Sequence, residues 1–119
     1  MRKATLYIGT IVFSLLVTAC ANYDDSVQVA DVHKEQTIIL KNTHKPGYVY
    51  SIHISGSGNL DGEASISLIL NGEPYKTQAL KDVVDFEWSG DWYADQAEIR
   101  YKPVNINSGT LVIRYRFLT

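Results

Sequence analysis

His53 stands two residues from both Ser51 and Ser55, so in an extended chain the three side chains share one face. A nucleophile and a base are thereby within reach of each other. Hydrolysis needs in addition a carboxylate to orient the histidine, and a strained elbow such as G-x-S-x-G would expose the serine. Gly56-Ser57-Gly58 lacks that pattern and reads as a mobile loop, which leaves a solvated Ser and His face. Nor do His33, His44 and His53 show ligand-like spacing for a metal. Asp61, Asp82, Asp85, Asp91 and Asp95 fall near predicted turns, where loop oxygens can hold calcium. They lack EF-hand spacing, however, and Asp bonding its own backbone in turns accounts for them. The expectation is no catalytic set, no metal and no cofactor, with a small hydrolase ranked last among the functions.

The stretch Phe86-Glu87-Trp88-Ser89-Gly90-Asp91-Trp92-Tyr93 gathers large aromatics around a predicted Ser-Gly-Asp turn. Alternation puts Trp88 on the core face, and Trp92 and Tyr93 stand beyond the turn. Exposed, the latter pair would be a flat platform for stacking a sugar or anchoring a protein. Folded inward, they would plug the end of the domain, which is the favoured reading because a small domain needs its aromatics for its core. Arg100, Arg114 and Arg116 share the outward parity of their strands, as do Asp85, Glu87 and Glu98. Cross-strand ion pairs are the plainer account, and a basic strip for an acidic partner is the functional one.

Strands must position these residues. Tyr48 to Ser55, Ala64 to Leu70, Val84 to Trp88, Ala97 to Tyr101 and Leu111 to Phe117 each alternate apolar with polar residues, with Val49, Ile69 and Val112 as exceptions. Tyr48, Tyr50, Ile52 and Ile54 fall on one face by this rule. Two weaker segments run from Gln36 to Asn42 and from Tyr75 to Leu80. Asn71-Gly72 is the commonest hairpin dipeptide, since both turn positions need positive φ, although Pro74 leaves a four-residue loop open. Glycines and prolines are expected between these segments or at their ends. About seven short one-sided strands require a second sheet to cover them, which predicts a small antiparallel β-sandwich of Greek-key or jelly-roll order. A cysteine pair around a buried Trp is absent, so an immunoglobulin topology is not claimed.

Ahead of these strands, Arg2-Lys3 precede a mostly apolar stretch from Ala4 to Val17, followed by Thr18-Ala19-Cys20. That order is the n-region, h-region and small-residue site of a secretory signal, and it is shorter than the roughly 20 residues of a membrane-spanning helix. Val17-Thr18-Ala19-Cys20 resembles the lipobox of bacterial lipoproteins, with Val17 where Leu is commonest. The resemblance implies a signal helix over 1–19 that is removed, a diacylglycerol thioether on Cys20, and usually an acylated new amine. A thiol suits that attachment because a thiolate is the better nucleophile near neutral pH. A conventional cut after Ala19, leaving a free thiol, is the alternative. Ala21 after Cys20 leans towards the outer rather than the inner membrane if the cell has two.

The polar stretch 20–35 is expected to be a flexible tether, with an edge strand at Val27 and Val29, extending in its longer form to Val32, as its alternative, and 36–119 the sandwich. Cys20 is the only cysteine, so no intramolecular disulfide can form. With Arg2 and Lys3 removed, the formal net charge of −2 becomes about −4, which argues against nucleic acid as a partner. The sequence therefore predicts a lipoprotein held at the envelope membrane through Cys20, carrying a non-catalytic binding domain for an envelope protein. A carbohydrate or peptidoglycan module is the alternative. Trp88, Trp92, Tyr93, Arg100, Arg114 and Arg116 are the candidate contact residues.

Overall fold

The computed structural model describes Tyr23 and residues 25–119. The expected signal, the lipobox-like Val17–Cys20 and the expected lipid attachment at Cys20 lie outside the described residues. Five strands follow in chain order: β1 (Asp25–Gln28), β2 (Gln36–Lys41), β3 (Ser51–Leu70), β4 (Glu73–Asp91) and β5 (Gln96–Leu118). All pairings are antiparallel, in one sheet of order β1-β5-β3-β4, with β2 also beside β5. The all-β antiparallel class stands, while the count of about seven short strands is corrected to five. Each of the three long strands joins two expected ones: 48–55 with 64–70, 75–80 with 84–88, and 97–101 with 111–117.

Uninterrupted pairing explains the merger. β3 is bonded along its length to β4 on one side and β5 on the other, so residues between the apolar runs remain in the ladder. The chain bends there without breaking. From Leu60 to Glu63 on β3, β4 advances only from Asp82 to Lys81, and β5 adds residues of its own opposite Asp61 to Ala64. Such bulges bend and twist a ladder while keeping it paired. Asp82 takes positive φ at the bend, as does Gly62 at φ 133°, where a Cβ would run into the Asn105 carbonyl. Because β3 gains an even number of residues over β4, Leu60 and Ala64 keep the same facing, and both are buried.

The inward face is continuous across the bend: Ile52, Ile54 and Leu60 on one side, Ala64, Ile66 and Leu68 on the other, in one core cluster. Ile54, Ile99, Tyr101, Leu111 and Ile113 are wholly excluded from solvent. A flat sheet would leave this face wet. Leu68 and Tyr75 near the hairpin tip line the same crevice as Ile52, Trp88 and Trp92 at the far end of the β3–β4 ladder. The sheet is therefore doubled over, and its two halves cover each other. At a gain of about 25 cal/mol per Å² of apolar surface removed from water, this closure is what stabilises the chain.

Several local expectations are corrected. Ser89-Gly90-Asp91 is strand, paired with Ser51 to His53, and not a turn. Gly56-Ser57-Gly58 lies inside β3 rather than in a mobile loop, and Gly56 makes room for Phe86, whose ring a Cβ would strike. Tyr48 and Tyr50 point outward and Val49 inward, because regular pairing begins only at Ser51. Within the 20–35 stretch, β1 pairs with residues 112–115 of β5; it includes Val27, while Val29 and Val32 lie beyond it. Asn71 and Gly72 do form a two-residue turn, with φ 54° and 80°.

Residues 29–35 then strap across the bend from β1 to β2, both on the same side of β5. Tyr101 donates its hydroxyl to Val32 O at 2.7 Å, and burial raises its pKa, which keeps the phenol a donor. His33 faces two acceptors: Asp31 Oδ1 lies 2.9 Å from Nδ1 and Asn107 O 2.8 Å from Nε2. Only the doubly protonated ring donates to both. The Asn107 carbonyl first, and then the Asp31 carboxylate, raise the His33 pKa above 6.5, while His33 lowers that of Asp31 below 3.8.

The strap's contribution is thus full between pH 3.8 and 6.5, declines above as pH rises through the raised His33 pKa, and declines below through the lowered one of Asp31. The gap in urea midpoint between wild type and His33→Ala is expected to be wider at pH 5.5 than at pH 8.5; equal gaps would contradict the two-acceptor clamp. Gly56→Ala should destabilise by about 1–3 kcal/mol through overpacking, and Phe86→Leu should recover part of that loss. Urea melts of the single and double variants check this, additivity being the contrary result.

Candidate functional site

Doubling brings the β3–β4 hairpin tip over the segment that leaves β4. Between them opens a cleft of about 450 Å³ lined by Leu70, Tyr75, Asp91, Trp92, Tyr93 and Ala94. Each lip has a local cause. On the tip, Leu68 pairs with Lys76 but Ile69 with Pro74, so Tyr75 is the extra residue of a bulge. A bulge re-aims the side chain it carries. Its consequence is visible on β3 too, where successive Leu68 and Ile69 are both buried and Leu70 is turned out.

The other lip is held by hydrogen bonds. Trp92 is 7% exposed, its indole Nε1 donates to Gln96 O at 3.0 Å, and its backbone N–H donates to Tyr50 O at 3.2 Å. Asp95 fixes the connection beyond it: its carboxylate accepts from Gly47 N–H at 3.0 Å and from Asn42 Nδ2 at 3.2 Å. Asn42 N–H donates back to Asp95 O at 2.7 Å. With Trp92 anchored, the next side chain is directed outward, and Tyr93 is 77% exposed. Tyr75 on the facing lip is 52% exposed, with Lys76 Nζ 5.4 Å from its ring centroid.

The cleft thus has a fixed indole at its base, two solvent-facing phenols, an aliphatic wall and one carboxylate, Asp91. Such a surface offers flat apolar rings with polar rims, suited to holding a ligand rather than transforming it. Among the described residues, no group of three or more His, Cys, Asp or Glu is placed to hold a metal ion. Ser51 donates its hydroxyl to Gly90 O at 2.8 Å, and no bond joins it to His53 among the described residues. Among the described residues there is no assembled catalytic cluster.

Of the candidates named from the sequence, Tyr93 is in the cleft and exposed, whereas Trp92 is the plug beneath it. Trp88 is half-buried against Phe86, with ring centroids 4.9 Å apart, and borders the crevice under the cleft. The three arginines do not form one strip. Arg100 lies on the first half of β5 and Arg114 and Arg116 on the second, so the bend separates them onto different outer faces. Arg100 Nε is 2.6 Å from Glu98 Oε2, and Arg114 Nη1 donates to Ser57 Oγ at 2.8 Å. Leu70 and Tyr75 were not named as contact residues from the sequence, and Asp91 was named only among the turn carboxylates weighed for calcium. Pro74 beside the Asn71-Gly72 turn was the available signal, since it breaks the ladder at the place where Tyr75 is displaced.

No family model matches the chain, and no curated protein matches it. A solved structure titled "CBM4 structure and function" aligns over 78% of this chain and 70% of its own, at 11% identity and a TM-score of 0.43. That likeness is too distant to carry an argument about either fold or ligand.

Proposed function

We propose that this chain is a non-catalytic binding module whose ligand is a glycan, seated in the cleft between Tyr75 and Tyr93. The observation that carries the reading is the meeting of two exposed tyrosines, one near the start of β4 and one just beyond its end, over the buried Trp92. Sugar rings present apolar C–H faces that stack on aromatic rings, and their hydroxyls can donate to a carboxylate such as Asp91. A cleft of about 450 Å³ is in the range of small-ligand sites. A stable protein interface, by contrast, covers about 800 Å² on each partner, far more than this mouth offers.

Resemblance of Val17–Cys20 to a lipobox supports the location: a lipid anchor on Cys20 in the bacterial envelope, the outer membrane where there are two. One acyl chain binds only marginally, so two or three would be needed to hold the domain at the surface. A protein partner is the second reading, favoured by one observation. Tyr50, whose carbonyl accepts from Trp92 N–H, is also exposed and extends the aromatic surface beyond the cleft.

Pelleting with purified cell wall and a glycan array should retain the wild-type chain. Tyr75→Ala and Tyr93→Ala are each expected to weaken retention by roughly 10-fold, as loss of one stacked ring implies. Neither should move the urea midpoint appreciably, whereas Trp92→Ala should cost about 3–5 kcal/mol of stability. A wild-type chain retained by no glycan, or retention indifferent to both tyrosines, would sink the glycan reading.

A further inference from the structure

A second recess lies on the outer face of the sheet, where β3 and β5 run side by side. Ser67 pairs with Arg100 and Ser65 with Lys102, and these four outward residues line a recess of about 230 Å³. Cross-strand neighbours stand about 5 Å apart at Cβ, and alternate residues of one strand about 7 Å, so the four groups form a compact square. Two cationic side chains occupy one edge and two hydroxyls the other. Ile69 and Pro74 give it an apolar wall, which lowers the local screening of charge.

Of the two cations, Arg100 has a carboxylate partner and Lys102 has none among the described residues. Arg100 is tied to Glu98 through Nε, which orients the guanidinium plane and leaves the Nη groups as further donors. Lys102 has no carboxylate within 4.0 Å among the described residues. The Ser67 hydroxyl shares a bond of 2.9 Å with Thr77 Oγ1, in which either atom can donate. With Thr77 donating, Ser67 offers its own proton to the recess. Two carboxylates oppose an anion entering the recess: Glu98, held on Arg100 Nε, and Glu35, which lines the recess itself.

We propose that this recess binds an oxyanion: Arg100 and Lys102 supply the charge, and Ser65 and Ser67 the hydroxyl donors. The group is a carboxylate of an acidic sugar or a phosphate ester of the headgroup kind, since either places two or three acceptor oxygens within the square. Charge-assisted hydrogen bonds from Arg are the strongest of these contacts, and bidentate geometry suits both groups. The site is separate from the aromatic cleft. Ile69 and Pro74 line the recess, while their neighbours Leu70 and Tyr75 line the cleft.

Titrating the full chain, labelled at backbone and arginine nitrogens, with glucuronate, glycerol phosphate and neutral glucose tests the assignment by NMR. Saturable shifts at the Arg100 Nε–H and the Ser65 and Ser67 amides are expected for at least one anion and not for glucose. The tighter anion identifies the source as acidic sugar or phosphate headgroup. Lys102→Gln should weaken that binding roughly 5- to 10-fold, and Glu35→Gln should tighten it roughly 3-fold by removing a like charge. All these side chains line an open recess, so the amide spectrum should otherwise persist in the variants. Unsaturable shifts with both anions, or one dissociation constant shared by wild type, Lys102→Gln and Glu35→Gln, would overturn the assignment.

Discussion

One apolar face must be covered by a chain whose described residues form strands but no helix. Everything in the architecture depends on that constraint. β3, β4 and β5 each carry a row of aliphatic and aromatic side chains on the same side of one sheet. Nothing else in the described structure is large enough to shield them, so the sheet shields itself by bending in its middle. The strap from β1 to β2 then lies along the free side of β5 and is fastened at Tyr101 and His33. A core built this way has its two layers joined by continuous strands rather than by loops.

Bending three paired strands together imposes its own chemistry. The ladder needs extra residues at matched places, backbone conformations that ordinary residues resist, and room where the strands crowd. Gly62 and Asp82 meet the second demand, and Gly56 under the Phe86 ring meets the third. Residues that look like turn punctuation in a linear reading are here the joints of continuous strands. The same device sets the functional surface, because the bulge at the hairpin tip turns Tyr75 into the mouth between the layers.

Doubling also distributes charge and polarity. Serines fill much of the outward row of β3, and cations stand beside them on β5: Arg100 and Lys102 in one half, Arg114 and Arg116 in the other. A straight strand would have aligned these cations on one face. The bend divides them between two outer faces, and the first group borders a recess with hydroxyls. The aromatic mouth and the cationic recess thus occupy opposite sides of one hairpin, and they suit ligands of different character.

The periodicity of two, read along the chain, determined the class of fold and much of the core: Ile52, Ile54, Ile66, Leu68, Ile99, Tyr101, Leu111 and Ile113 are inward as their spacing requires, whereas Leu70, placed inward by the same rule, is exposed. The Asn71-Gly72 turn was equally legible, because positive φ is a property of those residues themselves. Strand length was not legible, since a ladder crossing glycines is sustained by partners distant in sequence. Nor was the facing of Tyr48 and Tyr50, which depends on where pairing begins. Of the site, Tyr93 was named from its composition and neighbours, but Trp92 beneath it and Tyr75 opposite it acquire their roles only when the sheet folds over. Within a regular run of pairing, local sequence sets which side of a strand a residue takes; where that run begins or is broken by a bulge, and which residues then face each other across a cleft, is decided by partners distant in the chain and by the closure of the core.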